Sequence, residues 1–183
     1  MRTARPNPGH RALAELERMG VLKAVITQNI DNLHHRAGSR LVLELHGTMR
    51  SATCTGCQRS WPTSKMASSF VESGAIPRCT ACGGIIKPDV VLFGDMLPVG
   101  ILLEAESQAD RCDVMLVAGS SLEVYPAADL PAQAGRHGAE IVIVNLEPTA
   151  MDGQAAVVIH DDVSVILPQI ARRVGEWRGI GPR

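Results

Sequence analysis

Four of the five cysteines form two matched C-x-x-C pairs, Cys54 with Cys57 and Cys79 with Cys82, and 21 residues separate the pairs. Two thiolates at this spacing on a tight turn hold one ion from the same side, and a second turn completes the tetrahedron that suits zinc. Two disulfides or a redox C-x-x-C are the alternatives. No basic start followed by an apolar stretch indicates secretion, and two matched pairs favour a metal. The pattern predicts a structural zinc ion, because four thiolates leave no open coordination position.

A second set of chemically useful residues follows short apolar runs that are typical of buried strands. Asn29 and Asp31 come after one such run, and His46 comes after the next. A histidine can act as a general base near neutral pH, although a lone histidine is more often structural. Small or polar residues also follow three later runs: Gly94 and Asp95; Gly119, Ser120 and Ser121; Asn145, Leu146 and Glu147.

These five strand ends together predict a cleft for a polar ligand, since ligands of doubly wound sheets bind beyond the carboxyl ends of the strands. The backbone amides of residues 119–121 could cradle phosphate oxygens, although an ordinary strand-to-helix turn would look the same. Asn145 and Glu147 could hydrogen-bond a ribose, or they could be turn residues before Pro148.

The elements that must position these residues alternate between helices and strands. Apolar strands without period-two polarity indicate a parallel sheet covered on both faces. We predict an α/β protein in which a doubly wound domain covers residues 1–48 and 87–183, with a zinc-binding module of residues 49–86 inserted into it. The predicted helices cover residues 8–19, 30–37, 65–71, 101–110, 127–136 and 163–177, and the predicted strands cover 22–27, 42–45, 89–93, 114–118, 141–144 and 156–159.

Composition and charge disfavour several classes of partner. The 183 residues carry 18 Lys and Arg against 19 Asp and Glu, which gives no general attraction for nucleic acid or anionic membrane. Aromatic residues make up only 3%, too few for a base-stacking platform, so a zinc-ribbon nucleic-acid binder is disfavoured. No apolar run reaches the ~20 residues of a transmembrane helix. We expect a cytoplasmic protein without nucleic-acid or membrane partners, and the oligomeric state stays open.

Several longer motifs, taken in order, resemble those of the sirtuins, a family of NAD-dependent protein-lysine deacylases. They are T-Q-N-I-D-N-L-H at residues 27–34, E-L-H-G at 44–47, the two C-x-x-C pairs, K-P-D-V-V-L-F-G at 87–94, G-S-S-L at 119–122 and V-N-L-E at 144–147. The resemblance runs from about residue 6 to residue 167 and is closer to bacterial members. It implies an enzyme that uses NAD, carries structural zinc and acts on acyl-lysine proteins or peptides.

The resemblance also implies a role for each motif residue. His46 would be the general base, which deprotonates a ribose hydroxyl after the acyl oxygen attacks the carbon that bears nicotinamide. The products would be nicotinamide, deacylated lysine and O-acyl-ADP-ribose. Asn29 and Asp31 would serve catalysis in the nicotinamide pocket. The remaining cofactor contacts would be Gln28 and Ile30 near the ribose and nicotinamide, Gly119, Ser120 and Ser121 on the dinucleotide backbone, Asn145, Leu146 and Glu147 on the adenosine ribose, and Val163 on the adenine. Val91, Leu92, Phe93 and Gly94 would pair with the substrate peptide as an added strand.

The sequence also departs from the sirtuin pattern. It contains neither the family's Gly-Ala-Gly-x-Ser loop nor its Pro-Asp-Phe-Arg stretch, and residues 2–19 resemble the helix that precedes the T-Q-N motif. The resemblance therefore implies an incomplete Rossmann-like sheet without its central first strand and phosphate loop. One expectation is that the true start lies upstream and that only an upstream-extended chain is active. The alternative is a catalytically inactive sirtuin remnant that acts as a zinc-stapled binding module.

Overall fold

The computed structural model describes residues 4–179, and the motifs quoted above all lie within them. Helices and strands alternate as predicted for an α/β protein. The helices are α1 Pro8–Arg18, α2 Leu33–Ala37, α3 Ser64–Ser73, α4 Val99–Arg111, α5 Leu130–Arg136 and α6 Val163–Trp177. The strands are β1 Val25–Thr27, β2 Val42–Glu44, β3 Gly47–Cys54, β4 Ser60–Pro62, β5 Ile86–Val90, β6 Val114–Ala118, β7 Glu140–Val144 and β8 Val157–Ile159.

The parallel strands form two groups within the described chain. β1 pairs with β2, and β6, β7 and β8 pair in that order, with every neighbour parallel. The side chains of these strands and of α4 and α5 share one core, in which Ile143 and Ala134 have no exposed surface. This arrangement confirms the predicted Rossmann-like parallel architecture, because apolar strands buried on both faces need helices over them.

A second apolar cluster joins α1 to α6. Ala12, Leu16 and Met19 of the first helical segment pack against Leu167 and Ala171 of the last. The helix α1 begins where Asn7 accepts a hydrogen bond from the backbone N–H of His10 and Pro8 occupies the first turn, as expected for a helix start. Among residues 4–179, no helix has the length and apolarity to cross a membrane.

The zinc-binding module is built on an antiparallel sheet with the order β4-β3-β5. The strand predicted over residues 89–93 is wrong in position. The strand β5 ends at Val90, because the backbone then turns back at Leu92, whose carbonyl accepts a hydrogen bond of 2.9 Å from the N–H of Asp95. This sheet extends from Gly47 to Val90, a little beyond the module predicted over residues 49–86, and the division into two domains stays a prediction.

The segment after β1 is irregular, whereas the sequence predicted a helix from residue 30. The helix α2 begins only at Leu33, because Asn32 takes a left-handed conformation (φ 65°) and the Asp31 carboxylate accepts from the N–H of Leu33 at 2.9 Å. Residues 28–31 therefore form an irregular, partly exposed segment at the carboxyl end of a parallel strand, the position at which such sheets bind ligands.

Candidate functional site

The four predicted zinc ligands come together in the structure. The Sγ atoms of Cys54, Cys57, Cys79 and Cys82 all lie within 4.8 Å of one another. The Cys54–Cys82 and Cys57–Cys79 sulfur pairs are each 3.5 Å apart, which is non-bonded and fits the edges of a tetrahedron around a metal. A Cβ at Gly84 would lie 2.8 Å from the Cys54 Sγ, so the turn needs glycine to approach the sulfur.

Backbone groups prepare these sulfurs for a cation. The backbone N–H groups of Cys57 and Gly56 lower the pKa of the Cys54 thiol to about 6. The N–H of Gly84 acts in the same direction on Cys82, but the three neighbouring sulfurs raise the pKa of that thiol to about 12. Four thiolates at this separation repel one another unless a cation lies between them, so the donor set fits structural zinc.

The residues that follow β1 and the histidine that follows β2 line one cavity of about 310 Å³. The parallel register of β1 and β2 brings these residues together, because Thr27 lies opposite Glu44 and the segments after the two strands leave the sheet side by side. The cavity is lined by Gln28, Asn29, Ile30, Asp31, His46, Val90 and Val91. Val90 is not among the residues predicted from the sequence, where its only signal is the apolar pair that it forms with Val91.

His46 presents its two ring nitrogens to different surroundings. Its Nδ1 lies 3.2 Å from the backbone carbonyl of Gln28. A carbonyl only accepts, so this contact places the proton of the neutral ring on Nδ1 and leaves a lone pair on Nε2. No hydrogen bond joins Nε2 to another residue of the described chain. The contact of Nδ1 leaves Nε2 with a lone pair that can accept a proton from a ligand.

Gly47 makes this placement of His46 possible. Its φ is +73°, and a Cβ there would lie 2.1 Å from the carbonyl oxygen of Asp89. The close approach lets β3 pair with β5 immediately after the histidine, with Gly47 opposite Val90. The carbonyl of His46 also accepts a hydrogen bond of 3.0 Å from the N–H of Val91, so the cavity wall continues into the segment that follows β5.

Asn29 and Asp31 reach the cavity from the irregular segment after β1. The backbone N–H of Asn29 donates to the Thr27 hydroxyl at 3.1 Å, which fixes the turn. The Asn29 side-chain amide has no hydrogen-bond partner within the part of the chain that the structure describes. One carboxylate oxygen of Asp31 accepts from the N–H of Leu33, and the other accepts no hydrogen bond from residues 4–179. An amide and a carboxylate oxygen with free hydrogen-bonding capacity suit a polar ligand that both donates and accepts.

The predicted peptide-binding segment is only partly in the cavity. Val91 lines it, whereas Leu92 is 58% exposed and Phe93 is fully exposed. Gly94 follows with φ +91°. The turn is held by Asp95, whose carboxylate accepts from the Lys87 ammonium at 2.9 Å and from the N–H of Leu92 at 3.1 Å. The Lys87 hydrogen bond and that of Leu92 lower the pKa of Asp95 below its usual range.

The remaining predicted cofactor residues lie at the ends of β6 and β7, outside this cavity. Gly119 has φ +61°, and a Cβ there would lie 3.7 Å from a methyl group of Val163, so the β6 turn and the start of α6 adjoin. Ser120 accepts from the N–H of Leu122, and Ser121 follows it in the same loop. One hydrogen bond, 3.3 Å from the Gln28 side chain to the Val124 carbonyl, links this loop to the cavity.

The end of β7 is a small, well-bonded loop. Asn145 is buried, and its side-chain amide donates to the carbonyl of Glu147 at 2.7 Å. Its backbone N–H donates to Ile159 of β8 at 3.1 Å. Leu146 is 65% exposed, and the Glu147 side chain is also exposed. The side chains of residues 146 and 147 are therefore accessible on a backbone that β8 holds in place.

Comparison with known proteins finds close relatives along nearly the whole chain. Residues 1–126 match the model of the Sir2 family. NAD-dependent protein deacylase 2 of Archaeoglobus fulgidus is 52% identical over 176 residues, which cover 96% of this chain and 69% of the relative.

Solved structures agree with this relation. One of Sir2Af2 bound to a myristoylated histone peptide matches with a TM-score of 0.88 and 51% identity over 96% of this chain and 75% of that chain. One of Sir2 with a p53 peptide and NAD+ matches with a TM-score of 0.87 and 44% identity over 97% of this chain and 72% of that chain. The fold of this chain therefore has solved counterparts.

Proposed function

The chain belongs to the Sir2 family, and on that premise we propose that it is an NAD-dependent protein-lysine deacylase. The reaction would transfer the acyl group from lysine to ADP-ribose and release nicotinamide. Its relatives are named for this class of activity. The observation that carries the proposal in this chain is His46, whose Nδ1 contacts the Gln28 carbonyl and whose Nε2 is free at a cavity. The alternative of an inactive, zinc-stapled remnant has no support in the comparisons.

NAD would supply the ribose carbon that the acyl oxygen attacks, and the bond from this carbon to nicotinamide would break. The residues of this chain fit such a ligand. The free amide of Asn29 and the second carboxylate oxygen of Asp31 match the donor and acceptor atoms of a carboxamide. Gln28 and Ile30 flank them. The Nε2 atom of His46 would take the proton of a ribose hydroxyl, since its lone pair is available when Nδ1 carries the proton.

The loops after β6 and β7 would hold the rest of the dinucleotide. Gly119, Ser120 and Ser121 would contact its backbone, and Val163 adjoins them at the start of α6. Asn145, Leu146 and Glu147 would meet the adenosine ribose, since an exposed carboxylate accepts hydrogen bonds from hydroxyl groups. The carboxyl ends of parallel strands meet at one edge of a Rossmann-like sheet, which supports a continuous site.

The acyl-lysine substrate would lie along the segment after β5. Val91 lines the same cavity as His46, so a lysine that enters beside it would bring its acyl group to the base. Leu92, Phe93 and Gly94 would continue as the strand with which the peptide pairs. Zinc would have a structural role only, because four thiolates complete its coordination. The antiparallel sheet that it stabilises would form part of the cavity wall.

A nicotinamide-release assay tests the proposal. We expect the protein, expressed from its own gene, to release nicotinamide from NAD when an acetyl-lysine peptide is present and to form O-acetyl-ADP-ribose in equal amount. The unacetylated peptide is the control for substrate dependence, and His137→Ala, at an exposed histidine outside the cavity, is the control for the variants. Absence of acyl-dependent nicotinamide release from the folded, zinc-loaded protein would refute the proposed function.

A further inference from the structure

His160 binds the loop at the end of β7 from the neighbouring strand. It follows β8 directly, and its Nδ1 lies 3.1 Å from the backbone carbonyl of Asn145. Its Nε2 lies 3.2 Å from a carboxylate oxygen of Asp152. The imidazole ring therefore bridges the first residue of the predicted ribose-binding loop and a carboxylate seven residues further along the chain. Neither His160 nor Asp152 belongs to the motifs on which the site was predicted.

Both partners of this ring only accept hydrogen bonds. A carbonyl oxygen and a carboxylate oxygen carry no proton at neutral pH, so the ring satisfies both contacts only when each nitrogen carries a proton. The Asp152 carboxylate accepts from Nε2 whenever that nitrogen carries a proton, and the Asn145 carbonyl accepts from Nδ1 in the same way. The ring is 41% exposed at the surface, and the Asp152 side chain is 23% exposed.

Asp152 is itself fixed, so it can anchor the ring. Its other carboxylate oxygen accepts from the Thr149 hydroxyl at 2.6 Å and from the Thr149 N–H at 3.2 Å. The hydrogen bonds from Thr149 and the nearby His160 lower the pKa of Asp152 below its usual value. Partial burial of the carboxylate opposes this shift but does not cancel it. The carboxylate is therefore ionised at neutral pH and oriented toward His160 by a turn of the same chain.

The contact with His160 completes the hydrogen bonding of Asn145. The N–H of Asn145 donates to Ile159, its side chain donates to the Glu147 carbonyl, and its carbonyl accepts from His160. Without the ring, the carbonyl at the loop's first peptide bond loses its partner within the described chain. The backbone before residues 146 and 147 would then keep only the hydrogen bonds that Asn145 donates to Ile159 and Glu147.

We propose that His160 is a positioning residue for the adenosine end of NAD, acting through the carbonyl of Asn145 and anchored by Asp152. The proposal rests on the proposed function, because it assigns the ligand of the Asn145–Glu147 loop. His160 takes no part in the chemical step, which occurs at the separate cavity around His46. Its loss should weaken cofactor binding while the reaction of bound cofactor is preserved.

Steady-state kinetics with NAD as the varied substrate test this division. In His160→Ala we expect a KM for NAD about tenfold higher, as the loss of two hydrogen bonds predicts, with kcat within about twofold of the wild type. His160→Gln, which can still donate one hydrogen bond, should lie between the two. His137→Ala is the matched control, because His137 also pairs with a carboxylate, Asp110, but it caps the end of α5 and precedes β7, whereas the Asn145–Glu147 loop follows β7.

Amide hydrogen exchange without NAD gives a second, activity-independent readout. We expect faster exchange at the amide of Asn145 in His160→Ala, because this N–H donates to the carbonyl of Ile159, and unchanged exchange in β6. An unchanged KM for NAD, or a kcat that falls as much as kcat/KM, would overturn the positioning role. If the wild type releases no nicotinamide, the proposed function fails by itself, and the exchange data still decide the structural claim: unchanged exchange at the Asn145 amide refutes it, and faster exchange at that amide supports it.

Discussion

At the scale of single residues, the two nitrogens of His46 decide what the cavity can do. The sequence marked this histidine as either a base or a structural residue, and composition could not separate the two. The structure adds the contact of Nδ1 with the Gln28 carbonyl and the free Nε2. Neither is visible in the sequence, because the contact joins residues 18 positions apart that meet only through the register of β1 and β2.

A second histidine, His34, should make the fold sensitive to acid. Its ring contacts that of His10 in a tilted arrangement, with 4.7 Å between the ring centroids, and its buried Nδ1 has no hydrogen-bond partner within the described residues. Burial and the nearby His10 lower the pKa of His34 to about 4 from its ordinary value of 6.5, although Asp31 opposes this. The native state therefore prefers the neutral ring, and the unfolded chain binds more protons between these two values.

We predict that the free energy of unfolding falls as the pH is lowered from about 6.5 to about 4. The loss should be about 1–2 kcal/mol once solvent screening of the partly exposed ring is allowed for. Urea titrations of the wild type and of His34→Gln at several pH values measure it, and the variant should lose less stability over this range. Parallel pH profiles for the two proteins would contradict the assignment to His34.

At the scale of elements, the sequence predicted the four cysteine ligands of the zinc module but not how its strands pair. The apolar run at residues 89–93 resembles a strand of the parallel core. The structure instead pairs Ile86–Val90 with β3 in an antiparallel sheet and turns the chain at Leu92. Pairing between β3 and β5 joins residues that lie between 32 (Cys54 and Ile86) and 43 (Gly47 and Val90) positions apart, which local apolar patterns do not encode.

Gly47→Ala tests the close approach of β3 to β5. A Cβ would lie 2.1 Å from the Asp89 carbonyl oxygen, in addition to the cost of a positive φ, so we expect a loss of about 3 kcal/mol or more in the free energy of unfolding. Gly74→Ala is the matched control, because Gly74 has φ +68° but no atom within 4 Å of its Cβ position. It should cost only about 1 kcal/mol. Equal losses in the two variants would contradict the proposed clash.

Removal of zinc should disorder the antiparallel sheet and, through it, the cavity wall. We expect Cys82→Ser to lose the metal and to unfold at a lower temperature, because uncompensated thiolates repel one another when no cation holds them. Cys112→Ser is the control, since Cys112 lies outside the cluster and its thiol donates to the Ala109 carbonyl. Metal analysis and thermal unfolding measure both effects, and full zinc content in Cys82→Ser would contradict the four-cysteine site.

At the scale of the whole molecule, the alternation of helices and apolar strands was enough to predict the class of fold. The bounds of α6 agree with the prediction at both ends, since Asp162 caps its N-terminus and the apolar spacing runs to Trp177. The grouping of parallel strands into β1-β2 and β6-β7-β8 agrees with the incomplete sheet that the family resemblance implies, although local patterns alone do not predict it. It depends on which long-range pairs form, and sequence periodicity carries no such information.

The central claim is that His46 takes a proton after nicotinamide has left. Exchange of labelled nicotinamide into NAD, measured beside formation of O-acyl-ADP-ribose with the same acetyl-lysine peptide, tests it directly. In His46→Ala we expect exchange to persist while product formation falls at least about a hundredfold, because loss of a general base affects only the later proton transfer. Product formation at the wild-type rate in His46→Ala would contradict the account.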